Sequence, residues 1–454
     1  MSILQKLEIK YVIRGSVSII PHDKYIEFFK SNTRVSKKIF VNDELKKLIS
    51  LLDGKFTLRE LIDIHMFNEK IILNFVEFLE SNCIIQSIDF SNIVENHPWN
   101  HVLNFIGDYH PFYEVMTKFN KLQNAWIVII GLGAVGSWTT IQLAKSGIKN
   151  FVVIDNDKVE ESNLNRSCFS YKDISKYKTD AVAELLDNIN SSITIKKYNL
   201  SITNTEQINQ ILDKISSTNV IVINCADYPN VDVMAGFVHT SCIRKQIPYI
   251  ISGGYNLHLT LIGPTIIPFK SACFKCIQKQ LNYNDQIDDL IKSKKFEQSQ
   301  RNIGNIAPMA IIPSTFTVNE TIKLFTDISP TMINRRGSIN FFNEEVNYQN
   351  FLKMPTCEDC SKDCSIDNID KFLEIFFSES ETVESLKKIN KKSITFNNSV
   401  TLLKEEIIQD FFNMNYDISN FNKIKYANKN LSLQNQEVYE LLICESFYKY
   451  LHLK

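Results

Sequence analysis

Trp126-Ile127-Val128-Ile129-Ile130 runs straight into Gly131-Leu132-Gly133-Ala134-Val135-Gly136. The first five residues are apolar and mostly β-branched, which predicts a buried strand. Behind the glycines, Ser137-Trp138-Thr139-Thr140-Ile141-Gln142-Leu143-Ala144 predicts a helix. Strand, glycine turn and helix in this order is the setting in which G-x-G-x-x-G holds a nucleotide phosphate. Gly131 permits the tight turn, Gly133 lets backbone N–H groups approach phosphate, and Gly136 lets the helix pack on the strand. The helix N-terminus adds favourable partial charge for an anion.

A second apolar strand, Phe151-Val152-Val153-Ile154, ends in Asp155. That is about two dozen residues past Gly131, close to the roughly 20-residue spacing at which dinucleotide folds set an acid on ribose hydroxyls. A dehydrogenase would simply continue the alternation of strand and helix. Here Asp155-Asn156-Asp157 leads instead to Asn163-Leu164-Asn165-Arg166 and then to Lys178. A third strand, Val220 to Ala226, is followed by another carboxylate, Asp227. Nicotinamide chemistry needs no such set. Polarising a triphosphate does: cations for the phosphates, one carboxylate for Mg2+ and one for the ribose.

From Gly131 to Cys360 these residues resemble the ThiF/MoeB/HesA family, the adenylating core of the ubiquitin-activating superfamily. Within it they look most like the enzymes that adenylate microcin C peptides, on Ile154-Asp155-Asn156-Asp157, Ala226-Asp227-Tyr228-Pro229 and Gln246-Ile247-Pro248-Tyr249-Ile250 before Gly253-Gly254. The resemblance implies an α/β, Rossmann-like doubly wound sheet that binds ATP. It implies nucleotide contacts from Gly131, Gly133, Gly136, Asp155, Asp157 and Asn163. It implies catalytic roles for Arg166 and Lys178 on the phosphates, with Asp227 as the Mg2+ ligand. It also implies a homodimer, because resembling enzymes build their sites at a dimer interface. One departure matters. The family carries an R-Y-x-R-like motif before the core that supplies an arginine to the partner subunit's active site, whereas Asn96-His97-Pro98-Trp99-Asn100-His101 has no arginine. Either His101 or Lys121 substitutes, or catalysis is weaker, or the domain binds rather than reacts.

Four of the ten cysteines form two knuckles, Cys273-Phe274-Lys275-Cys276 and Cys357-Glu358-Asp359-Cys360. Paired C-x-x-C knuckles can present four thiolates tetrahedrally, as a closed structural Zn2+ site needs. The resembled family carries zinc at these positions. The remaining cysteines are scattered, and none falls in the crossover loop expected over 277–305. Thioester transfer is therefore disfavoured.

Upstream, Ile9–Ile13 and Val17–Pro21 predict a strand pair turned at Arg14-Gly15, with a helix from Asp43, a stop at Asp53-Gly54 and a fresh start at Thr57. Thr57 followed by Glu60 is a capping-box pattern. A third helix spans about Asn68 to Asn82, with Ile71, Ile72, Phe75, Phe78 and Leu79 on one face. Together they predict a small winged-helix α+β module over 1–95. It resembles the PqqD-like elements that capture precursor peptides by strand addition in enzymes modifying ribosomally made peptides. A winged-helix dimerisation or DNA module is the alternative. Residues 96–364 form the expected adenylating domain with its zinc knuckles. Residues 365–454 lack Gly and Pro and predict a helical extension, with amphipathic segments at Phe372–Phe377 and Val438–Leu451.

Composition agrees. A net charge of −1 and 44 % hydrophobic content fit a globular protein with no nucleic-acid or anionic-membrane partner. No run approaches the ~18 apolar residues of a membrane helix, and the N-terminus lacks a secretory pattern, so a cytoplasmic protein is expected. The leading expectation is ATP-dependent adenylation of the C-terminus of a small ribosomally made peptide. A ThiF-like scaffold presenting a precursor peptide to a YcaO-type partner enzyme, and a sulfur-carrier adenylyltransferase, are the alternatives.

Overall fold

The computed structural model describes residues 3–256, 259–287, 304–354, 357–361, 393–396 and 400–403. In chain order its strands are β1 Lys10–Ile13, β2 Val17–Pro21, β3 Tyr25–Lys30, β4 Val35–Phe40, β5 Asp53–Thr57, β6 Ile85–Ser87, β7 Trp126–Ile130, β8 Asn150–Ile154 and β9 Thr194–Tyr198. They continue with β10 Val220–Asn224, β11 Tyr249–Ile251, β12 Tyr255–Asn256, β13 Leu259–Ile262, β14 Thr265–Ile266, β15 Arg335–Asn340, β16 Glu345–Asn350, β17 Ser393–Phe396 and β18 Val400–Leu403.

β7 lies inside the six-stranded sheet. β7 pairs in parallel with β8 on one side and β10 on the other, in the sheet order β14-β11-β10-β7-β8-β9. Only β14, at one edge, runs antiparallel. Ile127, Ile129, Phe151, Val153, Ile221 and Ile223 face one hydrophobic core, while Val128, Ile130, Val152, Ile154, Val220 and Val222 face a second. Period-two alternation with apolar residues on both faces is why these strands read as continuous hydrophobic runs. The first core takes in Leu143 and Ala144 of helix Ala134–Lys145, Ala181 and Val182 of helix Lys178–Ile189, and Val318 of helix Ala307–Phe325. The second takes in helices Thr205–Leu212 and Val231–Lys245 and the four knuckle cysteines. The chain reverses its strand order between β7 and β10, so the carboxyl ends of these strands open the crevice where such sheets bind ligands.

The N-terminal segment departs from the expected hairpin. β1 pairs with β5 and β6, and β2 joins a separate antiparallel sheet with β3 and β4. Ile13 N–H donates to Leu52 O and Arg14 N–H to Ile84 O, so distant segments already occupy both edges of β1. Asp53-Gly54 does follow a helix end, but it opens β5, with Gly54 at a φ of 82°. The capping box is present: Glu60 N–H donates to Thr57 Oγ1 (3.2 Å) and Thr57 N–H to Glu60 Oε2 (2.7 Å). Helix Glu69–Ser81 is capped by Asn68 and buries Ile72, Phe75 and Leu79, leaving Ile71 exposed.

This segment shares the first hydrophobic core with the nucleotide-type sheet. Tyr11 meets Phe112 edge-on at 6.3 Å, and buried Arg14 pairs with Asp108 at 3.4 Å. Ser16 Oγ and Asn32 Nδ2 donate to the same carboxylate. At the other end, β17 and β18 form an antiparallel pair where a helix was expected. Ile394, Thr395, Val400 and Thr401 are β-branched and favour strand. The amphipathic segments 372–377 and 438–451 lie outside the described residues. Among the described residues, no helix is long and apolar enough to cross a membrane.

Candidate nucleotide site and cysteine centre

A cavity of about 990 Å³ opens at the carboxyl edge of the parallel sheet, near the top of the usual range for ligand sites. Gly131, Gly133, Asp155, Asp157, Asn163, Arg166, Lys178 and Asp227 all line it. Residues from three separate connections, those after β7, β8 and β10, thus meet at one place.

Gly136 stays off the cavity wall, and its role is packing. A Cβ there would lie 1.9 Å from Gly131 O, inside the glycine turn itself. Gly131 takes a φ of 90° and would push a Cβ to 2.8 Å from Ala226 N. At Gly133 a Cβ would meet nothing within 4 Å, so that glycine leaves open space beside the helix N-terminus.

The acids and cations are held in fixed relation. The Asp155 carboxylate accepts N–H bonds from Leu132 (2.6 Å) and Asp157 (2.8 Å), tying the end of β8 to the glycine turn. Burial pushes its carboxyl above the usual value, against the pull of Lys178. Lys178, buried at the first turn of its helix, sets Nζ 2.7 Å from Asp157 Oδ2 and 4.0 Å from Asp155 Oδ1. Arg166 Nη1 donates to Ser162 O (2.6 Å) and Asn165 Oδ1 (2.9 Å), while Trp138 Nε1 donates to Arg166 O (3.0 Å). The helix behind the glycine turn therefore also fixes the loop that carries the arginine. Asp227 is exposed, three residues beyond the end of β10, on a turn where Ala226 N–H donates to Asn224 Oδ1.

Neither His101 nor Lys121 lines the cavity. Lys121 and Lys118 both pair with Asp327, at 2.5 and 2.9 Å, and His101 is exposed. Another cation, Arg336 on β15, does reach the wall. Its signal in the chain is only the Arg335-Arg336-Gly337 run, and nothing local shows that β15 pairs with β13 beside the cavity.

Two thiols near the phosphate-type loops are protonated at neutral pH. Burial pushes Cys168 up to about 11 and Cys225 up to about 12. Both are half-buried, and Cys225 lines the cavity, but thiols whose proton is held so firmly lack the thiolate character of a thioester nucleophile.

The knuckles converge as their spacing predicts. The Sγ atoms of Cys273, Cys276, Cys357 and Cys360 are buried and lie within 4.8 Å of one another. Cys273–Cys276 is 3.7 Å, Cys273–Cys357 3.5 Å and Cys276–Cys360 3.5 Å. Disulfide sulfurs lie about 2.05 Å apart, so these are four separate thiols. Four thiolates about 2.3 Å from a tetrahedral zinc stand roughly 3.8 Å from each other. The donor set therefore fits that ion.

The profile of the ThiF family matches residues 111–366, more than half of the chain. The chain belongs to the ThiF family. Among curated relatives, ubiquitin-like modifier-activating enzyme 5 of Bombyx mori is 28 % identical over 198 residues, 41 % of this chain and 47 % of the relative. Its counterpart in Gallus gallus is 29 % identical over 169 residues, 36 % of this chain and 42 % of the relative. This ThiF protein thus spans about half the length of the curated relatives it matches. Among solved structures, E. coli MccB with ATP superposes with a TM-score of 0.59 at 24 % identity, over 77 % of this chain and 99 % of MccB. The microcin C7 biosynthetic enzyme MccB with N-formylated MccA gives 0.60 at 24 %, over 77 % and 99 %. PaaA gives 0.56 at 20 % identity, over 75 % and 100 %. At these identities the likeness is one of fold.

Proposed function

We propose that this ThiF protein binds ATP and adenylates the C-terminus of a small ribosomally made peptide. The observation that carries the reading is the single cavity in which Asp155, Asn163, Arg166, Lys178 and Asp227 stand around the open face of Gly133. A peptide carboxylate oxygen attacks the α-phosphorus, the bond from that phosphorus to the bridging oxygen breaks, and pyrophosphate leaves with the electron pair. Lys178 and Arg166 draw the outer phosphates and stabilise the departing charge. Arg336 adds a third cation to the wall, which offsets the lack of an arginine in 96–101. Asp227 is the carboxylate suited to hold Mg2+, whose chemistry when bound is to neutralise phosphate charge.

MccB structures with MccA and with ATP support a precursor peptide and ATP as ligands. The sheets of the N-terminal segment suit peptide capture by strand addition, as in PqqD-like elements. The four thiols suit a structural Zn2+ that staples 273–276 to 357–360 and takes no part in catalysis. ATP and reduced thiols suit the cytoplasm, and a homodimer is the expected assembly. One observation favours a scaffold serving a peptide-modifying partner enzyme: the segment 96–101 holds no arginine to supply to a partner subunit's site.

Exchange of labelled pyrophosphate into ATP decides between them, measured with the purified protein and a library of short peptides bearing free C-terminal carboxylates. Peptide-dependent exchange is expected, and it should fall sharply in Asp227→Asn. Nucleotide binding without exchange for any peptide would leave the scaffold.

A further inference from the structure

Two side chains inside the knuckles, and two outside them, close a ring of polar contacts around the four thiols. Asp359 lies between Cys357 and Cys360, and its Oδ2 accepts from Lys275 Nζ at 2.8 Å, across from the other knuckle. The same oxygen lies 2.8 Å from His239 Nε2, and His239 Nδ1 lies 2.7 Å from Tyr249 Oη. Phe274 N–H, back in the first knuckle, donates to Tyr249 Oη at 3.4 Å. A carboxylate can only accept, so His239 Nε2–H donates to Asp359 and Nδ1 accepts from Tyr249 O–H. Each donor then meets one acceptor, and the ring runs Phe274, Tyr249, His239, Asp359, Lys275.

The two outer members sit on rigid elements. Tyr249 begins β11 and is 0 % exposed, and His239 is inside helix Val231–Lys245 and is 1 % exposed. The second knuckle itself lies on no helix or strand, although Met354 N–H just before it donates to Cys276 Sγ at 3.4 Å. Cys357–Ser361 is a single turn, closed by Ser361 N–H to Cys357 O, outside any helix or strand. We propose that His239 and Asp359, with Lys275, are positioning residues that hold the second knuckle in register with the first, so that four thiolates meet one metal ion. Lys275 also sets a positive charge beside a tetrathiolate whose charge exceeds that of a dication. Partners that orient metal ligands usually change metal affinity by about 10- to 100-fold when removed. This inference rests on the Zn2+ reading above, and its test separates the two.

The test uses full-length protein loaded with zinc and titrated with a chromophoric chelator, alongside Co2+ substitution read by its thiolate charge-transfer bands. His239→Ala and Asp359→Ala should each weaken zinc retention at least about tenfold and broaden the tetrahedral cobalt bands. His239→Gln, which keeps one donor and one acceptor, should recover most of the loss. Val238→Ala, buried on the same helix, should lower the melting temperature and leave zinc affinity unchanged. Lys275→Met, at a half-exposed position that poses no threat to folding, should weaken zinc by a smaller factor even if the buried variants fail to fold. Wild-type protein that neither carries nor takes up zinc would overturn the metal assignment itself. Zinc uptake with unchanged affinity in His239→Ala, Asp359→Ala and Lys275→Met would overturn the positioning role alone, as would equal loss in Val238→Ala.

Discussion

Replacing Gly133 with alanine should spare the fold and weaken the grip on ATP, while the same change at Gly136 should damage the fold. The difference follows from what a Cβ would meet. At Gly133 there is no atom within 4 Å, and φ −67° with ψ −156° is extended backbone that alanine can adopt. Lower unfolded-state entropy favours alanine there and the loss of an N-cap glycine opposes it, so stability should stay within about 1 kcal/mol of wild type. At Gly136 the Cβ would stand 1.9 Å from a backbone oxygen, and no flexible side chain can give way. The helix Ala134–Lys145 must then back off the turn, at a cost of about 1–3 kcal/mol or more. On the binding side, a methyl at Gly133 occupies the space through which phosphate oxygens reach backbone N–H groups. Losing one hydrogen bond to a charged group is worth about 1.5–3 kcal/mol, or roughly a 10- to 100-fold weaker Kd. Thermal denaturation and calorimetric ATP titration of the two variants measure both quantities. Gly133→Ala that binds ATP as tightly as wild type would refute the placement of phosphate on this turn, and a normally stable Gly136→Ala would refute the packing argument.

Asp227→Asn keeps the size of the side chain and removes its charge, so pyrophosphate exchange should drop by roughly 10²-fold or more while ATP still binds. Lys178→Ala should weaken both binding and exchange if, as proposed, its charge meets the phosphates in the ground state; without nucleotide it offsets Asp155 and Asp157. Cys357→Ser should give metal-poor, poorly soluble protein, checked by metal analysis of the purified fraction, since a structural zinc contributes folding free energy directly. Cys168 and Cys225, with thiols raised to about 11 and about 12, should resist iodoacetamide in the folded protein at neutral pH, read by mass shift. Above about pH 9 the unfolded chain gives up these protons first, so stability should fall as pH climbs toward those values. Cys225→Ala should flatten that decline in alkaline melting curves.

Much of the fold was legible because its determinants are neighbours in the chain. The Trp126–Gly136 run carries strand, turn and helix start in eleven consecutive residues, and Thr57 with Glu60 forms a cap across one helical turn. The continuous apolar runs Phe151–Ile154 and Val220–Ile223 mark strands buried on both faces, and the parallel sheet needs little more. Gly131, Gly133, Asp155 and Asp227 on the cavity wall follow from that sheet, since each sits just past a strand end, whereas Asn163, Arg166 and Lys178 were expected there only through the family resemblance.

What the chain alone left open depends on contacts between distant segments. β1 and β2 alternate as a hairpin should, yet Leu52 and Ile84 take the hydrogen bonds that would have paired them. Arg336 joins the phosphate-type cavity only because β15 pairs with β13, and His239 meets Asp359 only because the second knuckle folds back onto helix Val231–Lys245. The N-terminal segment reads as a separate unit, but Tyr11 on Phe112 and Arg14 on Asp108 weld it to the first core. Periodicity, caps, the glycine turn and the spacing of the two thiol knuckles are readable from neighbouring residues, because short-range sterics and hydrophobic patterning act over a few positions. Tertiary structure alone decided strand partners, the third cation and the polar ring around the thiols, because burial chooses among partners that local pattern cannot tell apart.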